Sequence, residues 1–172
     1  KINSDGQFKG KNVVLIILES YAKEYVGFFN NGNGYTPFLD SLLKESYAFT
    51  NAYSNGSKSI EALPAILAGI PPLMNTPYVI SNYANNKIDA LPDILKRNGY
   101  NTSFYHGGSN GTMGFNGFTK IAGVDSYFGL DEYPNKERDY DGNWGIYDEP
   151  YLQYFSKELS TKKEPFFSTI FT

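Results

Sequence analysis

Cysteine is absent from this 172-residue chain, and histidine and tryptophan each occur once. Without thiols there is no disulfide and no thiolate-bound metal, and a single histidine argues against a zinc site built wholly within this sequence. No stretch approaches the ~20 consecutive apolar residues that a membrane-spanning helix needs, and no leader pattern opens the sequence. Positive charge is also short: 15 Lys and Arg stand against 18 Asp and Glu, a net charge of −3. That balance lacks the basic footprint of a nucleic-acid binder, so no nucleic-acid partner is expected.

What remains is the composition of an ordinary globular domain, 41% hydrophobic and 19% charged, long enough for a real core. The 15 Tyr and 13 Phe are the unusual part. With abundant Asn and Gly they give surfaces able to stack on sugars, besides filling the core. The lack of cysteine fits a bacterial cell-envelope protein. Residues 1–10 read as a linker, and Glu164 to Thr172 reads as a buried strand that stops where a functional loop is expected. Residues 1–172 are therefore expected to form a single domain, the N-terminal portion of a larger catalytic domain.

Apolar runs of strand length alternate with helical patterns, which predicts an α/β fold with a mainly parallel sheet flanked by helices. Strands are expected over Asn12 to Leu18, Tyr47 to Tyr53, Asn101 to Tyr105, Ser126 to Phe128 and Phe166 to Phe171. Helices are expected from Thr36-Pro37 through Leu43, over Ser59 to Ala68, Ala90 to Asn98, Phe118 to Ala122 and Tyr147 to Leu159. Thr36 before Pro37, and Gly69 after Ala68, are start and stop signals. The Ser59 to Ala68 helix is expected to pack through Ile60, Leu63, Ile66 and Leu67, and Pro64 fits a helix only near its first turn. Gly107 to Gly117 reads as a glycine-rich loop.

Glu19 and Ser59 carry the candidate chemistry. Glu19 closes an apolar strand, where ligands of open α/β sheets bind, and its carboxylate suits a hard or borderline divalent cation; the alternative is a strand-end glutamate capping a helix or facing solvent. Ser59, in Asn55-Gly56-Ser57-Lys58-Ser59-Ile60-Glu61, sits at a loop-to-helix junction, where free N–H groups and the helix dipole favour anions. It is either a nucleophile toward phosphorus or a plain helix cap. Lys58 would steady an anion. His106, at a strand end before Gly107-Gly108, would hydrogen-bond a transferring phosphoryl oxygen, or else be structural. Trp144 lines a pocket or packs on the sheet. A P-loop is excluded by Ser57 where glycine is needed. Asp139-Tyr140-Asp141-Gly142-Asn143 fails as a calcium loop, because Trp144 and Pro150 hold its glycine and glutamate positions.

Taken in order, Val13-Val14-Leu15-Ile16-Ile17-Leu18-Glu19-Ser20, Thr36-Pro37-Phe38-Leu39, Gly56-Ser57-Lys58-Ser59, Ala90 to Tyr100, Phe104-Tyr105-His106 and Trp144 to Glu149 resemble one family. It is the lipoteichoic-acid-synthase-like, phosphoglycerol-transferase branch of the sulfatase/alkaline-phosphatase superfamily. The resemblance implies an α/β sandwich attached to the membrane by segments missing from this chain, acting outside the cytoplasm. It implies a divalent metal, manganese first, with magnesium, zinc or calcium as alternatives. It makes Glu19 a metal ligand, Ser59 the nucleophile that also touches metal, and His106 a substrate-contacting residue; Lys58 and Trp144 are the further candidate substrate-binding residues. The family's further Asp-His ligand pair would lie beyond Phe171, so this chain alone is expected to bind metal poorly and to be inactive. A Trp and an Arg that contact glycerol phosphate in the synthases fall roughly at Met113 and Phe115. The formylglycine motif of sulfatases proper is not matched by Ile60-Glu61-Ala62-Leu63.

The expected function is thus a metal-dependent phosphotransferase or phosphodiesterase of the cell envelope. Its partners would be an envelope phospholipid, a polyol phosphate or a glycan. The alternatives are a sulfatase or phosphomonoesterase on the same centre, and an inactive module that binds envelope glycans.

Overall fold

The computed structural model describes residues 9–172, so most of the expected linker lies outside the described residues. Two compact units divide the chain: Leu18–Ser54, and the described residues up to Ile17 together with Asn55–Thr172.

The larger unit holds four strands, β1 (Val13–Ile17), β2 (Asn101–His106), β3 (Ser126–Phe128) and β4 (Phe166–Phe171). They form one all-parallel sheet in the order β1-β4-β2-β3. The central strand β4 is buried along its whole length, as expected of a parallel strand covered on both faces. Its register sets the functional edge: Phe171 pairs with Ile17 of β1 and with His106 of β2. These residues end their strands together at the C-terminal edge, where α/β sheets bind ligands.

Alternation along the strands divides the core in two. On one face Phe104, Phe167 and Phe171 pack with Leu63 and Leu67 of α2 (Ser59–Ala68) and with Phe115 and Phe118 of α4 (Phe115–Ile121). On the other, Tyr105 and Ile170 pack with Tyr151 and Phe155 of α6 (Asp148–Thr161). Between β2 and β4 the hydroxyls of Ser103 and Ser168 meet at 2.8 Å, fully buried. Helix α3 (Leu91–Arg97) leads into β2, and the short α5 (Lys136–Asp139) precedes α6.

The smaller unit holds α1 (Pro37–Lys44) and two short 3-10 turns, Lys23–Tyr25 and Gly27–Phe29. Asp40 ties them: Oδ1 accepts the Thr36 hydroxyl and the Phe28 N–H, each at 2.9 Å.

Four expectations change. Tyr47 to Tyr53 forms no strand; Tyr47, Phe49 and Tyr53 are 82% exposed or more, with no ladder partner to turn their alternation into a sheet. Helix α2 runs through Pro64 well past its first turn. The ring is buried there, so packing offsets the lost hydrogen bond to the preceding turn. Ile66, expected in the α2 core face, is 42% exposed. Part of the glycine-rich loop is helical, since α4 starts at Phe115 behind a left-handed Gly114.

Candidate active site

Ser59 is the first residue of α2, and Lys58 is its N-cap, with extended backbone and no capping side chain. Ser59 is half-buried and Lys58 exposed. The Lys58 carbonyl accepts the Glu61 N–H at 3.0 Å. Glu61 Oε2 accepts the Ser57 N–H at 3.0 Å, holding the turn against the helix. A hydroxyl at this point lies beside the N–H groups of a ten-residue helix, where negative charge on a bound group is stabilised.

His106 ends β2, with its Nδ1 3.1 Å from the Phe171 carbonyl oxygen. A carbonyl oxygen only accepts, so that contact requires Nδ1 to carry a proton and donate it. The imidazole stands edge-to-face with Phe115 at 5.3 Å and with Phe171 at 5.8 Å, which fixes its plane.

Trp144 reaches the same edge through a loop built by one carboxylate. Asp141 Oδ1 accepts the N–H groups of Asn143, Trp144 and Gly145 at 2.8, 2.8 and 3.1 Å. These bonds, led by the one from Asn143, hold the Asp141 carboxyl below its ordinary range. The loop then docks beside His106: Ile146 N–H donates to the Gly107 carbonyl at 3.0 Å, and Gly108 bridges Gly145. A Cβ on Gly108 would lie 2.7 Å from His106 Nε2, so glycine is what allows this approach. Trp144 itself is 78% exposed, which removes packing on the sheet as its role and leaves its ring open to a ligand.

The rejected calcium motif thus has two structural tasks. Asp141 builds the Trp144 loop, while Asp139 accepts the Tyr133 hydroxyl at 2.6 Å and Arg138 Nε at 2.7 Å. Arg138 foremost, then Tyr133, lowers the Asp139 carboxyl to about 2. Asp-Gly-Asn was a legible turn signal for the Asp141 loop, though not for the three bonds to one oxygen. Asn110, in a glycosylation-type triplet, is likewise committed, donating to both oxygens of Glu132 at 3.1 and 2.9 Å.

Glu19 belongs to the smaller unit, two residues past the end of β1. Ser20 follows it in a left-handed conformation at φ 54°, and its hydroxyl donates to Glu19 Oε1 at 3.1 Å. A non-glycine residue held at positive φ beside a carboxylate is the kind of strain found at ligand clamps. The structure thus brings His106 and Trp144 together at the sheet edge, and Lys58 and Ser59 at the head of α2.

A carboxylate and a hydroxyl are hard donors of the sort manganese or magnesium takes. Among the described residues, however, no three His, Cys, Asp or Glu side chains gather into a cation site. Met113 is held at φ 51° and Phe115 is fully buried.

The sulfatase family model matches residues 11–172. This chain belongs to the sulfatase family. Lipoteichoic acid synthase 2 of Bacillus subtilis is 28% identical to this sulfatase-family chain over 171 residues, covering 97% of the chain and 26% of the synthase. A protein of the alkaline phosphatase superfamily from Vibrio parahaemolyticus superposes with a TM-score of 0.84 at 31% identity, covering 97% of this chain and 41% of that one. The lipoteichoic acid synthase LtaP of Listeria monocytogenes shares the fold, with a TM-score of 0.80 at 21% identity over 95% of this chain and 40% of its own. The sulfatase-family chain spans about a quarter of the length of the curated relative it matches. No helix among the described residues is long and apolar enough to cross a membrane.

Proposed function

We propose that this chain carries the nucleophile of a phosphotransferase that works on the cell envelope, outside the cytoplasm. Ser59 Oγ attacks the phosphorus of a phosphodiester; the Oγ–P bond forms and the bond from phosphorus to the leaving oxygen breaks. The Ser59 proton passes to solvent or a base, and the departing alkoxide takes up a proton. An acceptor hydroxyl or water then attacks the phosphoserine ester, and Ser59 leaves with a proton restored. His106 Nε2, when protonated, donates a hydrogen bond to a phosphoryl oxygen. Lys58 adds positive charge at the head of α2, and Trp144 offers a ring face to the substrate's organic part.

What supports this reading is the family match together with the position of Ser59 as first residue of α2. A divalent cation, manganese first, would supply charge that acidifies a serine hydroxyl; the family resemblance names Glu19 and Ser59 among its oxygen donors. Candidate substrates are an envelope phospholipid, a polyol phosphate or a phosphorylated glycan. Glycerol phosphate is not favoured over the others, because buried Phe115 stands where the resemblance puts an arginine.

The test is Ser59→Ala in the full-length protein, assayed on bis(4-nitrophenyl) phosphate beside an aryl sulfate and a phosphate monoester. Turnover of the diester should be lost, and mass spectrometry of the quenched wild type should show phosphate on Ser59. Undiminished diester turnover by Ser59→Ala would sink the proposal, and preference for aryl sulfate would move it to the sulfatase reading.

A further inference from the structure

The turn that delivers Ser59 is anchored from inside the helix. Glu61, third residue of α2, sends its carboxylate back along the chain to accept the Ser57 N–H at 3.0 Å. Its own N–H meanwhile donates to the Lys58 carbonyl at 3.0 Å. Both backbone groups flanking the entry to Ser59 are thus tied to one residue. A glutamate at this helix position ordinarily reaches the N–H of the N-cap. Here it reaches one residue further, past a lysine N-cap whose side chain makes no capping bond. Gly56 makes room for it. A Cβ at position 56 would stand 2.8 Å from both Cβ and Oε2 of Glu61, so any other residue would push that carboxylate aside. Gly56 and Glu61 form one device: the glycine lets the turn pass close, and the carboxylate holds it.

We propose that Glu61 is a positioning residue for Ser59, fixing the nucleophile's backbone through the Ser57 N–H without touching the substrate. This rests on Ser59 being the nucleophile. The task needs a hydrogen-bond acceptor at the end of a three-carbon reach, not a proton donor or base. Glutamine retains such an acceptor; aspartate falls short by one methylene, and alanine removes it.

The experiment compares Glu61→Ala, Glu61→Asp, Glu61→Gln and Gly56→Ala in the full-length protein on bis(4-nitrophenyl) phosphate, reading kcat, KM, the pH profile and the yield of phosphate trapped on Ser59. Misplacing a reacting atom by a fraction of an ångström to 1 Å acts on kcat, so Glu61→Ala and Glu61→Asp should lose about tenfold or more, with KM within about twofold. Glu61→Gln should stay within about threefold of wild type with the same pH profile, and Gly56→Ala should behave like Glu61→Asp. If Glu61→Ala does not fold, Glu61→Asp and Gly56→Ala decide. Folded variants with wild-type kcat overturn the proposal, since a cap that only stabilises α2 leaves kcat alone. Glu61→Gln as impaired as Glu61→Ala, with one limb of the pH profile gone, also overturns it by making Glu61 an acid or base. Trapped phosphate absent from Ser59 in the wild type is the failure of the nucleophile reading instead.

Discussion

Replacing Phe115 by alanine is expected to destabilise the protein more than any single change at the exposed part of the site. Phe115 is fully buried, and its ring meets Phe104 at 6.0 Å, His106 at 5.3 Å and Phe171 at 5.2 Å. Truncating a buried phenylalanine costs about 3–5 kcal/mol through lost transfer energy and the cavity left behind. For a domain of this size that corresponds to a fall in Tm of about 6–20 °C. Phe115→Leu keeps most of the apolar volume and isolates the ring pairing, about 0.5–1.5 kcal/mol for each pair. Phe115→Arg, the residue that the family resemblance would place here, puts an unpaired charge among three rings and should be the worst of the three. Thermal melts of the full-length protein, read at the transition containing this domain, measure all three. The order leucine, alanine, arginine from mildest to most severe is the expected result. An alanine variant melting within about 2 °C of wild type, or an arginine variant as stable as wild type, would refute the placement of Phe115 in the core and with it the argument against glycerol phosphate.

The Trp144 loop should loosen in acid. Its organising carboxyl, Asp141, is held below its ordinary range by the N–H groups it accepts. A depressed folded pKa gives stability that is present above the unfolded value near ~3.9 and lost as pH falls through the folded one, so the change belongs below about pH 4. The fluorescence attributable to Trp144, taken as the difference from Trp144→Phe, should shift in that window; a shift centred at neutral pH would contradict the assignment. Asp141→Ala should give the acid spectrum already at pH 7. At the sheet centre, Ser103→Ala or Ser168→Ala alone strands a buried hydroxyl, at about 1–3 kcal/mol, whereas the double variant should cost much less than the sum. Denaturant unfolding of the four proteins checks this, and strict additivity would show that the 2.8 Å contact carries no coupling.

What was legible in the sequence was whatever depends on residues close along the chain. The parallel sheet could be read because β4 and β2 carry apolar side chains on both faces, a pattern only a doubly covered strand can bury. The head of α2 could be read because a small polar turn precedes an apolar periodicity that ends at left-handed Gly69. Tyr47 to Tyr53 shows the converse: its alternation is as good as that of a strand, yet strand formation is decided by a partner, and position along the chain says nothing about partners. The site divides in the same way. Ser59 and His106 are marked by local structure, a helix start and a strand end. Asp141 is marked as a turn residue, but that one of its oxygens would gather three N–H groups and set Trp144 beside the strand carrying His106 depends on the Gly107-Gly108 and Gly145 backbones meeting. The same reasoning explains the glycines. Gly56 and Gly108 look like loop filler in sequence, and their necessity appears only when a Cβ is found to collide with Glu61 in one case and with His106 in the other. In each case a glycine marks where the backbone must come close to a particular side chain, so the collision, rather than the flexibility, is the physical reason the position excludes other residues.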